Sequence, residues 1–245
     1  MSLSRSVDQL RRDRVIIEEM INKPETLGVE FQPIKSLGDS TVTAYKATAK
    51  GPDATMSNAL ELLQSAQAAG LVERLDWQFR AHAFDLAVQA QLKLPLFITP
   101  EPETYGSMCP PRLITSFGRG RRELKVVAEV PAAAFADSTA LRRGIDEIRG
   151  YGWQVVADDV ADTSGGPGLV EEIRPEYVKL DMSLAGRTAT PAGNVRTLLD
   201  AAQRVGATLM AINVDSEPAR AAAQQLGATV GRGRLLGAPG PLPSA

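Results

Sequence analysis

The chain has 245 residues, 44% of them hydrophobic, and its 27 basic and 29 acidic side chains leave a net charge of −2. So even a balance argues neither for nor against a polyanionic partner; no nucleic-acid polymer is expected because the basic stretch Gly118–Arg122 is short and has no interleaved aromatics. The single cysteine, Cys109, excludes a disulfide framework or a thiolate zinc cluster, and the single histidine, His82, leaves no basis for a histidine-rich metal centre or a Ser-His-Asp triad. No run approaches the ~20 apolar residues that span a bilayer, and the first residues are polar and charged, so a cytoplasmic protein without membrane insertion is expected.

The length suits one α/β barrel, for which ~250 residues is usual. Leu3, Val7 and Leu10, followed by Val15 to Ile21, predict an N-terminal helix ending before Pro24 that packs on the barrel or against another chain. Apolar, β-branched runs then recur at Val29–Ile34, Thr41–Ala47, Leu94–Thr99, Leu124–Val130, Trp153–Asp158, Tyr177–Asp181, Ala207–Ile212 and Ala228–Gly231. Helical patterns lie between most of them, such as Met56, Leu60, Leu63 and Ala66, and later Val195, Leu198, Leu199 and Ala202. Strands alternating with helices imply a parallel sheet.

The first pair departs from this rule, because the link Lys35–Ser40 permits a hairpin but no parallel crossover. The expected fold is therefore a modified TIM-like (β/α)8 barrel with its first strand antiparallel; a doubly wound open sheet is the alternative. The boundaries expected are a helical segment over 1–28, a barrel over 29–239 and a loose tail over 240–245. The stretch Thr99–Arg122 reads as irregular, with Gly118–Arg122 a solvated loop, and Gly165–Gly168 reads as a mobile crossover that lacks the lysine and hydroxyl of a phosphate-cradling loop. Gly231-Arg232-Gly233-Arg234 reads as a barrel-closing turn with solvated arginines.

Functional groups of such barrels gather at the C-terminal ends of the strands. Those ends supply Lys46, Thr99, Glu129, Asp158 with Asp159, Lys179 with Asp181, Ile212 and Arg232. Carboxylates converging from different strands raise one another's pKa unless a positive group offsets them.

Phe31-Gln32-Pro33-Ile34, Ala44-Tyr45-Lys46-Ala47, Gly70-Leu71, Ala157-Asp158-Asp159, Lys179-Leu180-Asp181 and Leu236-Gly237-Ala238-Pro239 occur in an order and spacing that resembles the EAL-domain family. The resemblance implies a barrel with one reversed strand. Active members of that family hydrolyse cyclic di-GMP with two divalent cations, magnesium or manganese, that activate a water. By the resemblance, Glu129, Asp158, Asp159, Lys179 and Asp181 are retained site positions, with residual metal candidates at Glu129, Asp158 and Asp159. Lys46 stands where the family's naming glutamate would be, Thr99 for an asparagine, Ile212 for a glutamate, Arg232 for a glutamine and Lys50 for a phosphate-holding arginine. Val160-Ala161-Asp162-Thr163 and Ala132 also depart from the pattern.

An ammonium ligates no metal, so no catalytic residue, metal or cofactor is expected; magnesium or manganese belongs only to a phosphodiesterase alternative. Lys46 is expected to pair with Glu129 and Asp158, and Arg232 with Asp159 or Asp181. The function expected is a degenerate, inactive regulatory module acting through a protein partner, including a homodimer by analogy with the family. One alternative is a cyclic di-GMP receptor using Lys50, Lys179 and Arg232; the other is a phosphodiesterase with an altered site.

Overall fold

The computed structural model describes residues 6–52, 56–131, 138–160, 165–183 and 192–243. Leu3, Ala132, Ala161, Asp162 and Thr163, named above, lie outside them. Helix α1 (Val7–Asn22) starts at Ser6, whose side chain accepts from the Gln9 amide, and its stripe of Asp13, Ile17, Met20 and Ile21 is buried. That spacing places one face of α1 on the helices that follow the second strand, α2 (Ala59–Ala69) and α3 (Val72–Gln89).

Strands β1 (Gly28–Ser36), β2 (Val42–Lys50), β3 (Leu96–Ile98), β4 (Val126–Pro131), β5 (Gln154–Asp158), β6 (Tyr177–Asp181), β7 (Thr208–Ile212) and β8 (Val230–Gly231) close into a barrel in chain order. β1 runs antiparallel to both β2 and β8, and every other neighbouring pair is parallel. The closed order sets aside the open doubly wound sheet. No helix among the described residues is long and apolar enough to cross a membrane.

The barrel interior is packed by Ile34, Ala44, Phe97, Val127, Val156 and Met210, with Tyr177, Ile212 and Val230 against them. Because side chains of a strand alternate between faces, the residue two places further on points into the same interior. From Ala44, Phe97, Val127, Val156, Tyr177, Met210 and Val230 that step reaches Lys46, Thr99, Glu129, Asp158, Lys179, Ile212 and Arg232. On the reversed β1 the step runs backward, from Ile34 to Gln32. One polar layer therefore lies over one apolar layer at the C-terminal mouth.

Three sequence expectations are corrected. The segment taken as irregular carries short 3-10 turns at Pro102–Thr104 and Pro111–Leu113 and then helix α4 (Ile114–Glu123). Two of its arginines are held: Arg119 pairs with Asp85 at 2.5 Å, and the Arg121 guanidinium lies 5.0 Å from the Tyr151 ring centroid. Two glycines lowered the helix signal, yet Gly120 is where α4 meets Phe84 of α3, since a Cβ there would lie 2.5 Å from the ring. Gly166–Gly168 opens helix α6 (Gly166–Ile173), with Pro167 in its first turn, where a missing N–H costs no bond. In the tail, Gly240 bonds Phe31 in both directions, donating at 3.2 Å and accepting at 2.7 Å, so the chain stays paired to β1 one residue past the expected boundary.

The remaining helices are α5 (Ser138–Gly150), α7 (Ala192–Val205) and α8 (Glu217–Gln225). Two glycines of one helix should respond oppositely to the same kind of change. Gly118→Ala meets only the tip of Arg122 at 3.4 Å and should raise stability by up to about 1 kcal/mol, the helix-propensity gain over glycine. Gly120→Val should lower it by about 1–3 kcal/mol through overpacking against Phe84. Urea unfolding midpoints at unchanged slope would check both.

Candidate functional site

The layer at the barrel mouth is organised by one buried carboxylate. Glu129 on β4 is 1% exposed, and its Oε2 lies 3.1 Å from the ammonium of Lys46 on β2 and 3.1 Å from that of Lys179 on β6. Lys46 also donates to the hydroxyl of Thr99, the residue after β3, which in turn donates to Glu129 Oε2 at 3.1 Å. Lys179 has a second acidic partner, Asp158 Oδ2 at 2.5 Å on β5. These charges come from four strands that are neighbours or near neighbours in the barrel.

Burial pushes the Glu129 carboxyl up, but the charges of Lys46, Lys179 and Arg232 outweigh it and hold the group well below the usual carboxylate range. The two lysines then part company. Burial lowers Lys46 to about 8, helped by the positive charges of Lys179 and Arg232 and opposed by Glu129. For Lys179, burial also acts downward, but Glu129 and Asp158 together raise it above the ordinary lysine value. One carboxylate is insufficient to hold a buried ammonium against two neighbouring cations; two suffice.

The sequence expectation of a Lys46–Glu129 pair matches this arrangement, whereas the proposed Lys46–Asp158 pair does not form because Lys179 takes Asp158. Arg232 pairs with neither Asp159 nor Asp181. It is half-buried in the mouth rather than solvated, and its Nη1 donates to Gln32 Oε1 at 3.2 Å. Arg234 is the solvated arginine of that turn, held by Asp215 at 3.0 Å. Gly233 between them lies so close to the Val214 backbone that a Cβ would sit 2.3 Å from it.

Asp159 is exposed, with a left-handed φ of 55°, and its amide donates to Asp158 Oδ1 at 3.0 Å. Asp181 accepts from Asn213 Nδ2 and the Ser183 amide, both at 2.8 Å; burial pushes its carboxyl up, but these bonds and Lys179 bring it below the ordinary value. Lys50 pairs with Glu30 of β1 at 2.7 Å and stands outside the lining of the mouth cavity. Ile212 joins the apolar packing of the barrel interior. His82 and Cys109 are half-buried and also lie outside the cavity lining.

A cavity of about 370 Å³ opens over this floor, between Lys46, Thr99, Glu129, Asp158, Lys179 and Arg232 below and the apolar faces of α2 and α3 beside it, including Leu62, Leu63, Ala66, Leu75 and Phe79. Divalent cations require several oxygen ligands in good geometry. Here Glu129 Oε2 and Asp158 Oδ2 already accept from ammonium groups, and Lys46 offers no lone pair while charged. Among the described residues no group of three or more His, Cys, Asp or Glu side chains is placed to hold an ion. The donor set does not fit a divalent metal.

Sequence reasoning missed a second acidic wall of the same cavity. Asp76 on α3 is buried and paired with Arg80 one turn later at 2.9 Å, and the Arg80 guanidinium stacks 4.0 Å from the Trp77 ring centroid. Glu101, after β3, is pushed up to about 7 by burial and by the negative charges of Asp76 and Glu103, against the pull of Lys46 and Arg80. The i,i+4 spacing of Asp76 and Arg80 was the one available signal. A carboxyl raised on folding contributes stability below its unfolded value and loses it as pH rises through the folded value, here about 7. Glu101→Gln should therefore match the unchanged protein in acid and exceed it above neutrality by roughly 1 kcal/mol, discounted for partial exposure. Denaturant titrations across pH would register the difference.

An EAL domain family model matches residues 14–239. The EAL domain of FimX from Xanthomonas citri, solved in complex with c-di-GMP, aligns with 96% of this chain and 96% of its own at 17% identity and a TM-score of 0.76. The phosphodiesterase PaMucR in its c-di-GMP complex aligns with 95% of this chain and 98% of its own, at 16% identity and a TM-score of 0.77. The FimX EAL domain of Pseudomonas aeruginosa bound to c-di-GMP covers 94% of this chain and 97% of its own, at 18% identity and a TM-score of 0.74. Comparison with curated proteins by sequence gives no match. At these identities the solved structures speak for the fold, while the family model spans most of the chain: this protein belongs to the EAL domain family.

Proposed function

We propose that this chain is a catalytically inactive EAL domain that acts as a regulatory module through protein contacts, in or near cyclic di-GMP signalling. The observation that carries the reading is the Lys46 ammonium 3.1 Å from Glu129 Oε2 inside the mouth. A tethered cation there neutralises the oxygen that a metal would need and repels an incoming divalent ion. Lys179, held by both Glu129 and Asp158, has no metal-bound water to act on. Stability explains two of the retained acids: Glu129 and Asp158 offset buried ammonium groups and would be costly to remove.

The signalling context rests on family membership and on the c-di-GMP complexes of the FimX and PaMucR structures. The protein partner, a second copy of the chain included, is the part of the reading furthest from the geometry. Incubation with cyclic di-GMP and excess magnesium or manganese should yield no linear dinucleotide above the level of a Lys179→Ala variant, as read by chromatography. Metal-dependent turnover would overturn the reading. Calorimetric titration with cyclic di-GMP addresses the receptor alternative, and micromolar binding would replace a purely protein-directed role with a nucleotide-sensing one.

Stability makes a second check on the same reading. Glu129→Ala leaves two buried ammonium groups without their shared partner and should cost about 3–5 kcal/mol. Lys46→Met leaves the Lys179–Glu129 pair in place and exchanges a buried charge for an apolar chain of similar length, so its effect should stay within about 1.5 kcal/mol. Equal losses in the two variants, measured by thermal and urea unfolding, would contradict a structural role centred on Glu129.

A further inference from the structure

The mouth cavity has two ends of unlike charge. Its floor carries Lys46, Lys179 and Arg232 against Glu129 and Asp158, which leaves one cation over. Its α3 side carries Asp76, taken by Arg80, and Glu101, which leaves one carboxyl over. Glu101 is half-buried, and among the described residues no donor bonds its carboxyl. The charges that face it are Asp76 and Arg80 on α3, Glu103 in its own loop and Lys46 on β2. Its two oxygens are not sealed, and neither is Nη2 of Arg232, whose Nη1 donates to Gln32. Between the ends run Leu62, Leu63 and Phe79. The volume of about 370 Å³ stands at the small end of the ~300–1,000 Å³ usual for ligand pockets, which suits one small metabolite. A simple cation is repelled by the floor and a simple anion by ionised Glu101. A ligand with both charges meets both ends.

We infer that the cavity is a binding site for an apolar α-amino acid, with its ammonium on Glu101, its carboxylate on the Lys46 and Arg232 edge of the floor, and its side chain along Leu62, Leu63 and Phe79. Lys46 links the two ends, since its charge pulls on Glu101 and is itself opposed by Arg232. A lysine has three N–H donors, and two of those on Lys46 are directed at Thr99 and Glu129, which leaves one for the carboxylate. An ammonium placed on Glu101 favours its ionised form. Because burial and its acidic neighbours bring that carboxyl up to about 7, binding at neutral pH releases part of a proton. No bond of the ligand is made or broken. The inference rests on the reading that fixed cations occupy the floor, and it adds to that reading a small-molecule effector of stated chemistry.

Calorimetry on the unmodified protein tests it with L-leucine and L-phenylalanine against N-acetyl-leucine, which lacks the ammonium, and leucinamide, which lacks the carboxylate. The two full amino acids should bind at millimolar concentration or below. Each truncated ligand should bind roughly 10- to 150-fold more weakly, the range for losing one hydrogen bond to a charged group. Leucine affinity should rise from about pH 6 to about pH 7.5 as Glu101 ionises, and the measured heat should vary with the ionisation enthalpy of the buffer. Glu101→Gln should bring leucine down to the level of N-acetyl-leucine and leave N-acetyl-leucine unchanged; the ligand series on the unmodified protein decides the matter if that variant does not fold. Absence of binding by both amino acids, equal affinity for either truncated ligand, or an unchanged leucine affinity in Glu101→Gln would overturn the inference. Each of those results leaves the absence of metal-dependent hydrolysis intact, so the two readings fail separately.

Discussion

One oxygen, Oε2 of Glu129, accepts from two lysines on opposite sides of β4, and the rest of the mouth is arranged around that contact. Sharing is stable only because the two lysines have unequal support. Lys179 has Asp158 as a further counter-charge and holds its proton firmly, whereas Lys46 has a hydroxyl as its second partner and gives up its proton far more readily. Buried ion pairs contribute little net stability when complete but are expensive to break, since the surviving charge is left without solvent. That asymmetry makes Glu129 and Asp158 costly to lose on structural grounds alone.

The barrel supplies the constraint that makes the sharing unavoidable. Parallel strands in register place the residue two steps past each interior apolar side chain in one layer, so Lys46, Thr99, Glu129 and Asp158 meet as a consequence of alternation rather than of any local motif. Ile212 occupies the same layer on β7 and extends the apolar packing upward. The mouth is thereby lopsided, with cations and acids clustered over β2 to β6 and hydrocarbon over β7. Arg232, entering from β8, faces this cluster across the opening.

Much of this was legible in the chain because the signals were periodic. Charged residues that end apolar runs marked Glu129, Asp158 and Lys179, and the short link Lys35–Ser40 required the reversed first strand. Other features were set by contacts between distant segments. Gly118 and Gly120 weaken the local helix signal of α4, yet Gly120 is what lets that helix approach Phe84. Glu101 stands in a proline-flanked loop, and nothing near it in sequence shows that Asp76, a turn and a strand away, raises its pKa. The competition between Lys46 and Lys179 for partners was likewise hidden: the expectation paired Asp158 with Lys46, whereas β5 lying beside β6 brings it to Lys179.

The same geometry bears on what could reverse the charge pattern. A divalent ion entering the floor would have to displace an ammonium that is covalently tethered beside its carboxylate, so the competing cation is present at a high effective concentration at any metal concentration in solution. Lys46 is the weaker of the two barriers, because burial and its cationic neighbours already bring it to about 8. Removing its proton would free one oxygen's worth of negative charge but would leave Lys179 bound to both Glu129 and Asp158. The floor thus sets two tethered ammonium groups of unequal strength against the entry of a divalent ion.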